Sequence, residues 1–141
     1  MAYADGFLIP VPTKNLAAYR KLSEAAGKVW MEHGALDYKE CAGDDVNAEG
    51  MGTTTSFPKT MAIKRGETVV FSWILYKSRA HRDSVNKKVI ADPRLAKMMN
   101  MKNSPFDHKR MNYGGFEVFV DMAPAKAKKT PPKKRAAKKS R

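Results

Sequence analysis

Residues 68–77, Thr-Val-Val-Phe-Ser-Trp-Ile-Leu-Tyr-Lys, decide the fold. Read at a period of two, Val69, Phe71, Trp73 and Leu75 fall on one face, and Val70, Ile74 and Tyr76, with Ser72, on the other. A strand that is apolar on both faces is expected at the centre of a sheet, covered on each side. Lys64-Arg65-Gly66-Glu67 before it reads as a turn. Behind it, Ser78 stands as the N-cap of a helix over residues 79–91. Asp92-Pro93 opens a short helix reaching residue 100, with proline at the first helical position. A loop (MKNSPFDHKRMN) then leads to a last strand over residues 113–122 (YGGFEVFVDM).

Upstream the plan repeats. Residues 3–11 (YADGFLIPV) read as a first strand, and Pro10 near its end predicts an edge or terminal position. Thr13 is placed to cap a helix over residues 14–33, in which Leu16, Tyr19, Leu22, Ala26, Val29 and Trp30 form one apolar stripe. Gly34 ends it. Residues 35–42 alternate as a second strand, residues 43–55 read as a polar, glycine-bearing loop, and residues 60–63 as a short strand. Two βαβ halves predict an α+β, ferredoxin-like βαββαβ sandwich with an antiparallel sheet and helices on one face. The opposite face also needs cover. No other segment of the chain reads as free to provide it, so a second copy is expected, giving a homodimer with sheets packed face to face.

Charge divides the chain. Of 27 Lys and Arg, nine lie in residues 123–141 (Lys126, Lys128, Lys129, Lys133, Lys134, Arg135, Lys138, Lys139 and Arg141), a stretch with three prolines and no acidic residue. Residues 1–122 keep 18 basic against 14 acidic side chains, a net of +4 out of +13. The tail has no aromatic residue and no Leu, Ile, Val or Met. It is expected to be disordered, because it cannot bury enough surface to offset its ordering entropy. Its nine cations would contact nucleic acid non-specifically, through phosphates. Residues 1–122 are expected to form one domain able to bury roughly two-thirds of its unfolded surface.

Other classes fall away. No apolar run approaches the ~18–20 residues that span a bilayer, and Asp5 with two prolines stands where a signal peptide would need a cationic start and an apolar run. The single cysteine, Cys41, cannot close an intramolecular disulfide, so a reducing, cytoplasmic setting is expected. His33, His81 and His108 are too dispersed to indicate a metal site, and none is assigned.

The stretches YADGFLIPVPTKNLAAYR, VVFSWILYKSRAHRDSVN, ADPRLAKMM and PFDHKRMNYGGFEVFVD resemble the YbaA-like family, small bacterial proteins of unassigned function. The resemblance covers residues 3–122 and implies a ferredoxin-like protomer within the dimeric α/β-barrel superfamily. It supplies no catalytic residue. That superfamily includes cofactor-free monooxygenases and haem-degrading enzymes. In the latter a polar residue on the first strand, a tryptophan on a central strand and a histidine on the second helix surround the cofactor. Asp5, Trp73 and His81 fall in loosely comparable places, but an aspartate stands where those enzymes carry an asparagine, and no cofactor is assigned.

The expected function is binding of a small organic molecule between sheet and helices, with a cofactor-free oxidoreductase or isomerase as its catalytic form. Nucleic-acid association through the tail is the alternative. Trp30, Phe71, Trp73 and Tyr76 are the expected apolar walls, with Arg79 or Arg110 as polar contacts. His81 shares a helix face with Val85 and Val89 and lies in the first turn, where the helix dipole favours a neutral imidazole suited to proton transfer. Glu117 interrupts an apolar strand, as do Asp5 and Glu40; it is read as a catalytic acid or base, or as an ion pair at the dimer seam with Arg110, Lys39 or Arg79. Gly114-Gly115 marks a bulge or a close backbone approach, and Met98, Met99, Met101 and Met111 are read as core filling, with a mobile wall over an apolar pocket as the alternative.

Overall fold

The computed structural model describes residues 1–47, 52 and 55–123. The elements are β1 (Tyr3–Pro12), α1 (Leu16–Glu32), β2 (Asp37–Ala42), α2 (Phe57–Thr60), β3 (Glu67–Tyr76), α3 (Arg79–Ile90), α4 (Pro93–Met99) and β4 (Asn112–Glu117), with single 3-10 turns at Thr13–Asn15 and His108–Arg110. The strands form one sheet in the order β2-β3-β1-β4, every neighbouring pair antiparallel. This is the expected α+β, ferredoxin-like arrangement, and β3 occupies an interior position in it.

Register fixes what each strand offers. Asp5, Phe7, Ile9 and Val11 of β1 share the inner, helix-facing side with Val70, Ser72, Ile74 and Tyr76 of β3, because Asp5 pairs with Ile74 and Phe7 with Ser72. Tyr38 and Glu40 of β2 join that face through Ile74 and Ser72, and Tyr113 of β4 joins it through Phe7. The core over this face lies in two clusters. One is centred on Val29, Ile74, Tyr76, Val85 and Val89, the other on Ile9, Val11, Tyr19 and Val70. Phe7 packs against both.

The local signals at helix starts hold. The Ser78 side chain accepts from the His81 backbone N–H at 3.1 Å, and Asp92 accepts from that of Arg94 at 2.9 Å, each satisfying a donor the helix leaves open. Gly34, at φ +113°, lies in the turn after α1.

Other expectations are corrected. Thr13 does not cap α1; it sits in a 3-10 turn, and the N-cap is Asn15, which makes no side-chain cap bond. Residues 60–63 are not a strand, since Ser56 caps the four-residue helix α2 and Pro58 favours its first turn. β1 is not an edge strand; Pro10 is tolerated because β4 pairs only with Tyr3 to Leu8, so no neighbour there needs its missing N–H. β4 stops at Glu117 rather than residue 122, because β1 begins at Tyr3 and offers no further partner strand.

The outer face carries Val69, Phe71, Trp73 and Leu75 from β3, with Phe71 44% exposed and Phe116 of β4 61% exposed. Phe57 of α2 stacks on Phe71 at 6.4 Å between ring centroids, so the chain itself supplies a small part of the cover expected from a second copy. The basic stretch 124–141, including its nine cations, lies outside the described residues.

Candidate functional site

Between the two core clusters, the inner face and the helices border a half-open cavity of ≈ 400 Å³. The α1 stripe supplies Leu22, Ala26 and Trp30 to its wall, and α4 with the segment before β4 supplies Met98, Met99, Phe106 and Met111. Met98 and Met111 pack against the core clusters, as expected, and with Met99 they also shape the cavity wall, a use suited to their flexible thioethers.

Two cross-sheet rows form the floor. One runs Glu40–Ser72–Phe7–Tyr113 and the next Tyr38–Ile74–Asp5–Gly115, each read straight from the register. The rows place two carboxylates diagonally across a largely apolar surface. Glu40 is half-buried, and both of its oxygens accept from phenols: Oε1 from Tyr19 and Oε2 from Tyr38, each at 2.7 Å. The Tyr38 ring reaches this position across Gly27, where a Cβ would lie 3.0 Å from two ring carbons. Ser72, next to Glu40 in register, is 4% exposed and lines the cavity, and its hydroxyl bonds to no other described residue.

Asp5 is 1% exposed and forms the second polar centre. It accepts from Tyr113 at 3.1 Å and from the Asn86 amide at 3.3 Å, and the Tyr76 hydroxyl lies 3.1 Å from it. Arg82 supplies the opposite charge, its Nε 3.6 Å from Asp5 Oδ1, while its terminal nitrogens donate to Tyr3 and Tyr113. Trp30 Nε1 donates to Asn86 Oδ1 at 3.0 Å, which ties the α1 wall to this network. Burial first, and then the neighbouring carboxylate charge, raise the Tyr19, Tyr38, Tyr76 and Tyr113 phenols above the usual tyrosine range. All four remain protonated donors at neutral pH.

The residues singled out from sequence are distributed as follows. Trp30 lines the cavity, and Tyr76 lies fully buried beneath it, bonded to the Asp5 network. Phe71 and Trp73 pack together on the outer face, 5.5 Å between ring centroids. Arg79 is exposed beside Asp83, and Arg110 is bound to Glu67 at 2.5 and 3.0 Å. His81 does not line the cavity; its Nδ1 accepts the Lys77 backbone N–H at 2.9 Å, and its ring meets Tyr76 edge-on. Glu117 is exposed at the end of β4, and among the described residues it has no Arg or Lys partner. Asp5 and Trp73 project to opposite faces of the sheet, so Asp5, Trp73 and His81 do not surround one space.

Sequence reasoning missed Tyr19, Tyr38 and Glu40 as one unit. Tyr38 and Glu40, two apart on a strand, were legible as sharing a face; the contribution of Tyr19 depends on how α1 crosses β2. The carboxylate partners are tyrosines and Arg82 rather than the expected Lys39, Arg79 or Arg110. Among the described residues, no group of three or more His, Cys, Asp or Glu could hold a metal ion, and no helix is long and apolar enough to cross a membrane.

Residues 2–108 match the family described as "Protein of unknown function (DUF1428)". The chain is 41% identical over 121 residues to uncharacterized protein YbaA of Escherichia coli strain K12, covering 86% of this chain and 99% of that one. The Shigella flexneri protein of the same name matches to the same extent. Among solved structures, Rv0793 from Mycobacterium tuberculosis superposes with a TM-score of 0.53 at 14% identity, covering 87% of this chain and 100% of that one, a likeness of fold.

Proposed function

The chain belongs to the DUF1428 family of proteins of unknown function, and we propose that it binds a small organic molecule in the cavity between its sheet and its helices. One observation carries this reading: an apolar cavity of ≈ 400 Å³ holds polar groups with unused hydrogen-bonding capacity, namely the Ser72 hydroxyl and the remaining lone pairs of Glu40. The volume lies within the roughly 300–1,000 Å³ of small-molecule sites, which combine apolar walls with a few placed polar groups. A cofactor-free oxidoreductase or isomerase working in this cavity would take its proton acceptor from Glu40, since His81 and Glu117 lie away from it.

Trp30 offers the test, because it lines the cavity and Trp73, the other tryptophan, does not. In a Trp73→Phe protein, fused-ring aromatic probes should change the Trp30 emission saturably. Emission unaffected by any probe, together with an unchanged melting temperature, would refute the reading.

The protein is further proposed to act as a cytoplasmic homodimer through its outer sheet face. The exposed Phe57, Phe71 and Phe116 support this, as contiguous exposed apolar surface marks association sites. Sedimentation velocity should find a dimer that Phe71→Glu dissociates; a stable monomer would contradict it. The nine cations of residues 123–141 favour a second reading, non-specific nucleic-acid contact. Such binding should fall steeply with salt and disappear when residues 123–141 are deleted; binding that survives either change would exclude it.

A further inference from the structure

We infer that the cavity selects an uncharged, mostly apolar molecule carrying a hydroxyl group, and that it rejects carboxylates and phosphates of the same shape. The inference rests on the ligand-binding reading above and names the chemistry of its ligand.

The argument is one of donors and acceptors. A carboxylate has about four lone-pair sites, and Tyr19 and Tyr38 occupy one on each Glu40 oxygen. The sites left over can only accept. Among the described residues no Lys, Arg or His forms an ion pair with Glu40; no Lys or Arg lines the cavity, His108, packed against Phe106, is its one imidazole, and the nearby Lys and Arg side chains are held elsewhere. Lys39 pairs with Asp37, Arg94 with Glu32 and Asp92, Arg110 with Glu67, and Arg82 is bound around Asp5. The phenolic protons of Tyr19, Tyr38 and Tyr113 are already given to carboxylates. An anionic ligand would therefore lose its hydration beside the Glu40 charge with no Lys or Arg in the lining to meet it. A hydroxyl instead donates to Glu40 in a charge-assisted bond, and Ser72, adjacent in register, completes its second contact. An ammonium sheds far stronger hydration than a hydroxyl on entering an apolar cavity, a cost that its attraction to Glu40 does not return in full, which favours the hydroxyl over the amine.

The test uses naphthalenemethanol, naphthoate, naphthalenemethylamine and methylnaphthalene, all substituted at the same ring position, titrated at neutral pH into the Trp73→Phe protein. Naphthalenemethanol should bind about tenfold or more tighter than naphthoate and methylnaphthalene, the scale of one charge-assisted hydrogen bond. Glu40→Gln, checked for folding by circular dichroism, should reduce the preference over naphthoate to about threefold or less. Tyr38→Phe keeps the charge and should keep the preference. Naphthoate or the amine binding as well as the alcohol would overturn the inference while leaving the cavity reading intact. A preference unchanged in Glu40→Gln, or lost in Tyr38→Phe, would also overturn it. Saturable binding by none of the four would remove the cavity reading and this inference together.

Discussion

Replacing Asp5 with alanine removes the charge around which the inner sheet face is organised. Asp5 is 1% exposed and accepts from Tyr113 and Asn86, with Tyr76 at 3.1 Å and Arg82 Nε at 3.6 Å. The substitution would leave Arg82, whose side chain is 16% exposed, only the exposed Asp83 carboxylate at 3.4 Å, and leave the Tyr76 hydroxyl only Asn86. Breaking one side of a buried charge pair costs about 3–5 kcal/mol. A hydrogen bond to a charged group is worth ~1.5–3 kcal/mol, but these bonds share one acceptor and do not add. We expect a loss of about 4 kcal/mol, a large share of the ~5–15 kcal/mol that holds a domain together. Urea unfolding followed by far-ultraviolet circular dichroism should give a lower midpoint at unchanged slope. The melting temperature should fall by about 10–20 °C for a domain of this size. Glu117→Ala, at an exposed carboxylate, is the control and should stay within about 0.5 kcal/mol. A loss below about 1 kcal/mol for Asp5→Ala would refute the view that this network is buried and organised by its charge.

Two further substitutions probe the same framework. A Cβ on Gly115 would lie 2.5 Å from the Tyr3 hydroxyl and 2.6 Å from Arg82 Nη2, so Gly115→Ala should cost about 1–3 kcal/mol by displacing groups the Asp5 network holds; an unchanged melting temperature would contradict this. Hydrogen bonds from Arg94 first, and then from His33, hold the Asp92 carboxyl well below its ordinary value of 3.8. A depressed folded value means the Asp92 contribution is fully present above the ordinary carboxylate range and is lost as pH falls below it toward the folded value. Arg94→Ala should therefore raise the Asp92 titration toward 3.8 in a carboxyl NMR titration; an unmoved titration would assign the depression to another group.

Much of the scaffold could be read directly because its signals are local. The parity of residues 69–76 separates the two faces of β3, and the Ser78 and Asp92 caps act within three residues of themselves. What failed depended on distant chain. Pro10 indicates an edge strand because its tolerance rests on where β4 begins, about a hundred residues away. Phe71 and Trp73 read as pocket walls beside Trp30 and Tyr76, although parity places them opposite Tyr76; which face the helices cover is settled only by tertiary packing. His81 followed the inward period of α3 but is engaged by the Lys77 backbone at the strand-to-helix turn. The site's centre, Glu40 between Tyr19 and Tyr38, joins a helix to an edge strand, and no spacing rule links residues on different elements.

The chain's methionines allow the most direct test of the cavity as the ligand site. Met98, Met99 and Met111 line it, whereas Met1, Met31 and Met122 are exposed outside it. With carbon-13-labelled methionine methyl groups, addition of naphthalenemethanol should shift the Met98, Met99 and Met111 resonances saturably and leave the other three in place. Shifts confined to Met1, Met31 or Met122, or saturable binding with no shift at Met98, Met99 and Met111, would contradict a ligand site between the sheet and the helices.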